Sequence, residues 1–140
     1  MNDRLLMDNY LLYMAIETLA NNSDWPSKNL EIWYYDTSKG DKETSKYADG
    51  KTRFLLFDVD FTYYTEKLSV WDPEWAVGTN ILKTIIKNQN TFGMILNSKY
   101  YRDKYITIIS DLINTSFSDE NLLRIINEEF EKVNNEFNNN

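Results

Sequence analysis

Residues 21–35 read NNSDWPSKNLEIWYY, a turn-forming run that passes directly into a run typical of a β-strand. Asn, Ser and Asp favour turns, and the residue before Pro26 is pushed out of the helical region of backbone conformation. From here Leu30, Ile32 and Tyr34 alternate with Glu31, Trp33 and Tyr35, a period of two that is typical of strands. This stretch therefore predicts the boundary between an N-terminal helix and a β-strand.

The elements on either side of this boundary follow from residue spacing. Apolar residues at steps of three and four predict an amphipathic helix over residues 3–20, with Asn2 or Asp3 capping its first turn. A second apolar run at residues 53–57 predicts another strand. The polar residues 36–51 between the two strands have the composition of a long hairpin connection, so we expect a β-ribbon.

The C-terminal half has the pattern of helices. Apolar residues at helical spacing predict four of them, around residues 81–86, 92–96, 101–113 and from Ser118 onward. Asp119 and Glu120 stand in the first turn of the last helix, where the helix dipole favours acids. The expected fold class is therefore α+β, mostly helical, with a small β-hairpin.

Length and composition limit the classes of protein. The 140 residues suit one domain, which we expect over residues 1–137 with a tail at 138–140. A formal net charge of −7 argues against nucleic-acid and anionic membrane partners. The absence of cysteine and histidine excludes disulfides, thiolate metal sites and an imidazole base. Without a membrane span or a secretory signal in its sequence, the chain is expected to be soluble.

Four polar residues form the candidate site: Asp24, Asn29, Asp58 and Asp60. Their oxygens are ligands that suit Mg²⁺ or Mn²⁺. Asp24 and Asn29 have the spacing of the protein-kinase catalytic loop, in which an aspartate orients the attacking hydroxyl and an asparagine five residues later holds a metal. An acid at the end of the next strand then chelates the metals that bridge the nucleotide phosphates, and Asp58 has this place.

Each of these residues has a plainer interpretation. Asp24 is explained equally by a turn or capping acid before the Trp-Pro pair. Asp58 and Asp60 are also explained by strand-end acids that bond to their own loop, although two close carboxylates repel unless a cation or a donor lies between them. Trp25 and the other tryptophans are more typical of core or loop packing than of a ligand platform.

Two stretches resemble the spore-coat protein H (CotH) family of atypical, secreted-type protein kinases. They are NSDWPSKNLEIW at residues 22–33 and DGKTRFLLFDVDF at residues 49–61. Residues 96–105 and 111–118 resemble the helical C-terminal part of the same family. The resemblance extends in order over nearly the whole chain, and it implies a protein-kinase-like C-terminal lobe.

The resemblance also implies an activity, transfer of the ATP γ-phosphoryl group to a protein Ser or Thr with Mg or Mn. It implies Asp24 as the catalytic acid, Asn29 and Asp58 as cofactor-binding residues, and Asn29, Asp58 and Asp60 as metal ligands. The partners it implies are ATP and a protein substrate or coat proteins, and the location is the spore coat, the secreted fraction or the cell surface.

Three departures from the family pattern favour an alternative. Lys28 stands where the family usually has the first of two adjacent amides, and Thr62-Tyr63 stands near the place of a glycine after the second acid. The family's nucleotide-binding N-terminal lobe has no counterpart before Met1. We therefore expect little activity from these residues alone and self-association through the face that this lobe would cover. The alternative is a non-catalytic spore-coat or cell-surface assembly module.

Overall fold

The computed structural model describes residues 4–22, 25, 28–36, 47–60, 62 and 90–138. In chain order its elements are α1 (Met7–Ala20), β1 (Glu31–Tyr34), β2 (Thr52–Leu55), α2 (Asn90–Asn97), α3 (Lys99–Asn114) and α4 (Asp119–Asn138). The predicted α+β class, mostly helical with a small hairpin, is confirmed for these residues. The predicted helix at 81–86 lies outside the described residues.

Helix α1 begins later than predicted. Its first residue is Met7, so the prediction that Asn2 or Asp3 caps it is wrong. The residues before it are held by β2 instead: the Leu6 amide donates to the Thr52 carbonyl at 3.1 Å, and the Thr52 amide donates to the Arg4 carbonyl at 2.5 Å. Strand-type hydrogen bonds therefore satisfy the backbone that a longer helix would have used.

The predicted β-ribbon is confirmed. Strands β1 and β2 pair antiparallel, with Ile32 opposite Phe54 and Glu31 opposite Leu55. Strand β2 ends at Leu55 rather than at Phe57, and residues 37–46 of the predicted connection lie outside the described residues. The ribbon packs on α1 through the Phe54 ring, whose centroid lies 4.8 Å from that of Tyr10 and 5.3 Å from that of Tyr13.

A side-chain amide also ties α1 to β2. Asn9 Nδ2 donates to the Phe54 carbonyl at 3.1 Å, and the Phe54 amide donates to Asn9 Oδ1 at 2.7 Å. The side chain thus pairs with one residue of the edge strand as a further strand would. Because both Phe54 backbone groups are satisfied by one residue of α1, this pair sets the position of β2 along the helix.

The main core lies between α1, α2 and α3. Its fully buried side chains include Leu11, Ala15 and Phe92, and the Phe92 ring contacts the Tyr105 ring edge-on at 5.2 Å. The Tyr105 hydroxyl donates to Thr18 Oγ1 at 3.0 Å. The Tyr105 ring, with its hydroxyl group satisfied, therefore joins α3 to α1.

A charged cluster lies at the end of the ribbon from which the connection between the strands leaves. Arg53 donates two hydrogen bonds to the Asp49 carboxylate, at 2.9 and 2.8 Å, and its guanidinium lies over the Trp33 and Tyr47 rings at 5.4 and 5.5 Å. These bonds from Arg53 lower the pKa of Asp49 to about 2. The cluster holds β2 next to β1 through contacts on both strands.

Helix α4 begins at Asp119, one residue after the predicted start, and has an open apolar face. The Asn121 amide donates to Ser118 Oγ at 3.3 Å, so Ser118 is the N-cap of this helix. None of residues 119–138, all of which the structure describes, is buried. Within the described ranges, no helix has both the length and the apolar character needed to cross a membrane.

The Asn9 pair yields a test of the junction between α1 and β2. We expect Asn9→Ala to lower the free energy of unfolding by about 2 kcal/mol, since both backbone groups of Phe54 lose their partner in a half-buried position. Asn127→Ala, the same change at an exposed position of α4, should alter stability by less than about 0.5 kcal/mol. Urea denaturation followed by circular dichroism measures both, and equal effects of the two changes would contradict the role given to Asn9.

Candidate functional site

The site is built at one end of the β-ribbon. Asn29 lies just before β1, and Asp58 lies three residues after the end of β2. Because Glu31 pairs with Leu55 in an antiparallel register, the start of β1 and the end of β2 lie side by side. The register therefore brings together two predicted site residues that are 29 positions apart in sequence.

A hydrogen bond joins these two residues. Asn29 Nδ2 donates to the Asp58 main-chain carbonyl at 3.3 Å. Both residues have left-handed backbone conformations, with φ of 56° at Asn29 and 52° at Asp58. Asn and Asp tolerate this region better than other residues that carry a Cβ. Residue type and backbone conformation therefore agree at both positions.

Asp60 lies in the turn that follows. The Thr62 amide donates to the Val59 carbonyl at 3.2 Å and closes a four-residue turn around Asp60. The turn forms although Thr62 lies near the position at which the family usually has a glycine. Asp60, like Asp58, is exposed, so the segment after β2 presents two carboxylate side chains at the surface.

Asp24, the predicted catalytic acid, lies outside the described residues, but its neighbours Asn22 and Trp25 are described. Their side chains are 0% and 2% exposed, which confirms the prediction of a packing role for Trp25. The Trp25 ring meets the Tyr13 ring edge-on at 5.9 Å. Trp25, which follows Asp24 directly in the sequence, thus packs on α1.

Glu17 of α1 is a buried acid that the sequence reasoning did not single out. Its side chain is 1% exposed, and this burial raises the pKa of Glu17, although the side chains of Asn22 and Tyr13 act in the opposite direction. A signal was present in the sequence: position 17 continues the buried stripe of Tyr10, Tyr13 and Met14 at helical spacing. An acid in an apolar stripe indicates a specific polar environment.

The donor set of the site suits a divalent cation that is shared with phosphates. Asn29 offers an amide oxygen, and Asp58 and Asp60 offer carboxylates. Among the residues that the structure describes, no group of three or more acids, histidines or cysteines is gathered to enclose a metal. Mg²⁺ is commonly held by one or two carboxylates with substrate phosphates completing its shell. The residues present fit that arrangement better than an all-protein cage.

The comparisons with known proteins agree with the resemblance in the sequence. A family model described as "CotH kinase protein" matches residues 1–140, the whole chain. The chain belongs to the CotH kinase protein family, and this membership places it in the kinase-like class. No curated protein and no solved structure matches it.

Two substitutions at Asn29 separate the effect of its left-handed backbone conformation on stability from the effect of its hydrogen bond. We expect Asn29→Ala to lower the free energy of unfolding by about 1–2 kcal/mol, since it removes the bond to Asp58 and places a less tolerant residue in the left-handed region. Asn29→Gly removes the same bond without the backbone penalty, so its loss should be clearly smaller. Urea denaturation of both variants is the measurement, and a glycine variant no more stable than the alanine variant would contradict this account.

Proposed function

We propose that this chain forms the catalytic side of a CotH-like protein kinase, with the architecture of a kinase C-terminal lobe. The proposed reaction transfers the γ-phosphoryl group of ATP to a Ser or Thr of a protein, with Mg or Mn. The observation that carries the proposal is the Asn29–Asp58 hydrogen bond, which joins the Asn29 side chain before β1 to the main-chain carbonyl of Asp58 after β2. Family membership supports the same reaction class.

The proposed site residues have two roles: three of them bind the metal, and Asp24 positions the hydroxyl group of the acceptor. Asn29, Asp58 and Asp60 would bind a divalent cation together with the ATP phosphates. When bound, that cation neutralises phosphate charge, which a chain with a net charge of −7 needs at its site. The acidic character of the chain is compatible with a nucleotide only through such a cation.

Asp24 would act on the acceptor. Its carboxylate accepts a hydrogen bond from the acceptor hydroxyl and aims the hydroxyl oxygen at the γ-phosphorus. The new oxygen–phosphorus bond forms as the bond to the β-phosphate oxygen breaks, the hydroxyl proton passes to Asp24, and ADP leaves. Because this chemistry depends on positioning and electrostatics, the absence of histidine is no obstacle to it.

The metal site can be tested by calorimetry with Mg-ATP and Mn-ATP. We expect the wild-type chain to bind and Asp58→Asn to bind at least about 10-fold more weakly, since the change removes a charged ligand while keeping a residue that tolerates the left-handed backbone. Asp111→Asn, the same change at an exposed acid of α3, should bind as the wild type does. Absence of binding by the wild type, or unchanged binding by Asp58→Asn, would contradict the proposed site.

A second candidate function is a non-catalytic assembly module, and the open face of α4 favours it. The face consists of five apolar residues that are 51–80% exposed and follow each other at steps of three and four: Leu123, Ile126, Phe130, Val133 and Phe137. This is the spacing of a coiled-coil seam. A contiguous exposed apolar surface of this kind marks an interaction site.

The residues beside this seam favour a second copy of the chain as the partner. If the seam residues occupy the a and d positions, Asn127 and Asn134 occupy e and Glu129 and Glu136 occupy g. In a parallel pair of α4 helices, Glu129 of one copy then faces Asn134 of the other, so the flanking glutamates do not oppose each other. An antiparallel pair would place like charges together. We therefore propose parallel pairing of α4 as the basis of self-association.

Sedimentation velocity tests this pairing. We expect the wild-type chain to form dimers as its concentration rises, and Phe130→Glu to remain monomeric because it places a charge in the middle of the seam. Asn135→Glu adds the same charge at an outward position of the same helix and should leave the dimer intact. A wild-type chain that stays monomeric at the highest concentration reached would exclude the second candidate.

A further inference from the structure

A small cavity lies between α1, the β-ribbon and the start of α2, and its volume is about 180 Å³. Four aromatic and two aliphatic side chains contribute to its walls: Tyr10, Tyr13, Trp25, Phe54, Leu5 and Leu30. None of Asn29, Asp58 and Asp60, all of which the structure describes, lines it. The cavity is therefore separate from the candidate metal-binding residues.

The cavity extends from the buried core to the surface. Tyr10, Tyr13 and Trp25 are each at most 5% exposed, so the wall that they form is inside the protein. Leu30, which directly precedes β1, and Thr91, in the first turn of α2, also line the cavity, and both are exposed. A small molecule can therefore enter between these two residues and contact the buried rings.

Two of the buried wall residues carry polar groups whose hydrogen bonding is incomplete. Neither the Trp25 indole nitrogen nor the Tyr13 hydroxyl has a hydrogen-bond partner of ordinary geometry among the described residues. The indole N–H can only donate, and a tyrosine hydroxyl can also donate. Buried donors in folded proteins nearly always have a partner, which a bound molecule supplies where the protein does not. An acceptor atom next to these two side chains would complete their hydrogen bonding.

We propose that this cavity binds a small, uncharged molecule that consists of one aromatic ring with a hydrogen-bond acceptor. The acceptor takes a hydrogen bond from the Trp25 N–H or the Tyr13 hydroxyl. The aromatic walls favour a flat ring through edge-on and offset contacts. No charged residue is among the described residues that line the cavity, so a charged ligand would lose its solvation without compensation.

The volume of the cavity supports a single ring. An apolar cavity of about 150 Å³ in another protein binds benzene, whereas drug-sized ligands occupy about 300 Å³ or more. The cavity is thus large enough for one ring and too small for a nucleotide. The inference is independent of the proposed phosphoryl transfer, and its test uses no nucleotide.

Benzene and pyridine test this inference, because they have nearly the same shape and differ in one acceptor nitrogen. Both are titrated at neutral pH, where pyridine is uncharged, and binding is followed by heteronuclear NMR. We expect saturable shifts of the Phe54 and Thr91 amides and of the Trp25 indole N–H, whose signal is identified by its loss in Trp25→Phe. Pyridine that gives no saturable shift, or shifts confined to α4, would overturn the inference.

Two conservative variants test the acceptor. Tyr13→Phe removes the hydroxyl and Trp25→Phe removes the indole N–H, while each keeps an aromatic ring. We expect the ratio of pyridine affinity to benzene affinity to fall by about 3- to 10-fold when the donating group is removed, the range for one neutral hydrogen bond. This ratio cancels any loss of binding that is common to both probes, so a change in cavity shape alone does not alter it.

Tyr100→Phe is the matched control, since it removes a hydroxyl from an exposed ring of α3 and should leave the ratio unchanged. A fall of the ratio in either cavity variant supports the inference. An unchanged ratio in both cavity variants, or an equal fall in Tyr100→Phe, would overturn it.

Discussion

The contact between the Phe54 ring and the Tyr10 and Tyr13 rings is the one on which the rest of the described structure depends. It places the two-stranded ribbon on α1, and the Asn9 side chain sets the position along the helix by pairing with both backbone groups of Phe54. A two-stranded ribbon has little stability of its own in water. Without this junction, neither strand would have a surface on which to form.

The candidate site is a consequence of this junction. Once β2 is placed, the antiparallel register carries Asn29 and Asp58 to the same end of the ribbon. Helix α1 also contacts Trp25, through the edge-on packing of the Tyr13 and Trp25 rings. One helix therefore supports both the strand that leads to Asp58 and the tryptophan that follows Asp24 in the sequence, which is the kind of rigid support that a catalytic arrangement requires.

The two candidate functions use different surfaces of the same chain. The kinase proposal uses the end of the ribbon, where exposed carboxylates meet an amide, whereas the assembly proposal uses the apolar seam of α4. Family membership defines the kinase-like class and is compatible with either. The two proposals are therefore independent in their physical basis, and a chain that binds nucleotide could also pair through α4.

The sequence by itself determined the local elements and the residue types of the site. Helical spacing, the Trp-Pro turn and the apolar runs predicted α1, the ribbon and the C-terminal helices, because these signals act over a few residues. The start of the last helix next to Ser118 was predictable for the same reason. Asp24, Asn29, Asp58 and Asp60 were found from spacing and resemblance, and their roles stay predictions.

Only the tertiary structure decided which distant groups meet. Helix α1 begins at Met7, later than predicted, because the backbone groups of the residues before it are hydrogen-bonded to β2. The Asn9–Phe54 pair joins residues 45 positions apart, and no local pattern specifies such a partner. The burial of Glu17, an acid, could not be predicted from the spacing of α1. The apolar face of α4 was predictable from its spacing, whereas its exposure was not. Local residue preferences determine which helices and strands form. Packing between these elements determines which residues meet, because the burial of a side chain depends on all of its neighbours.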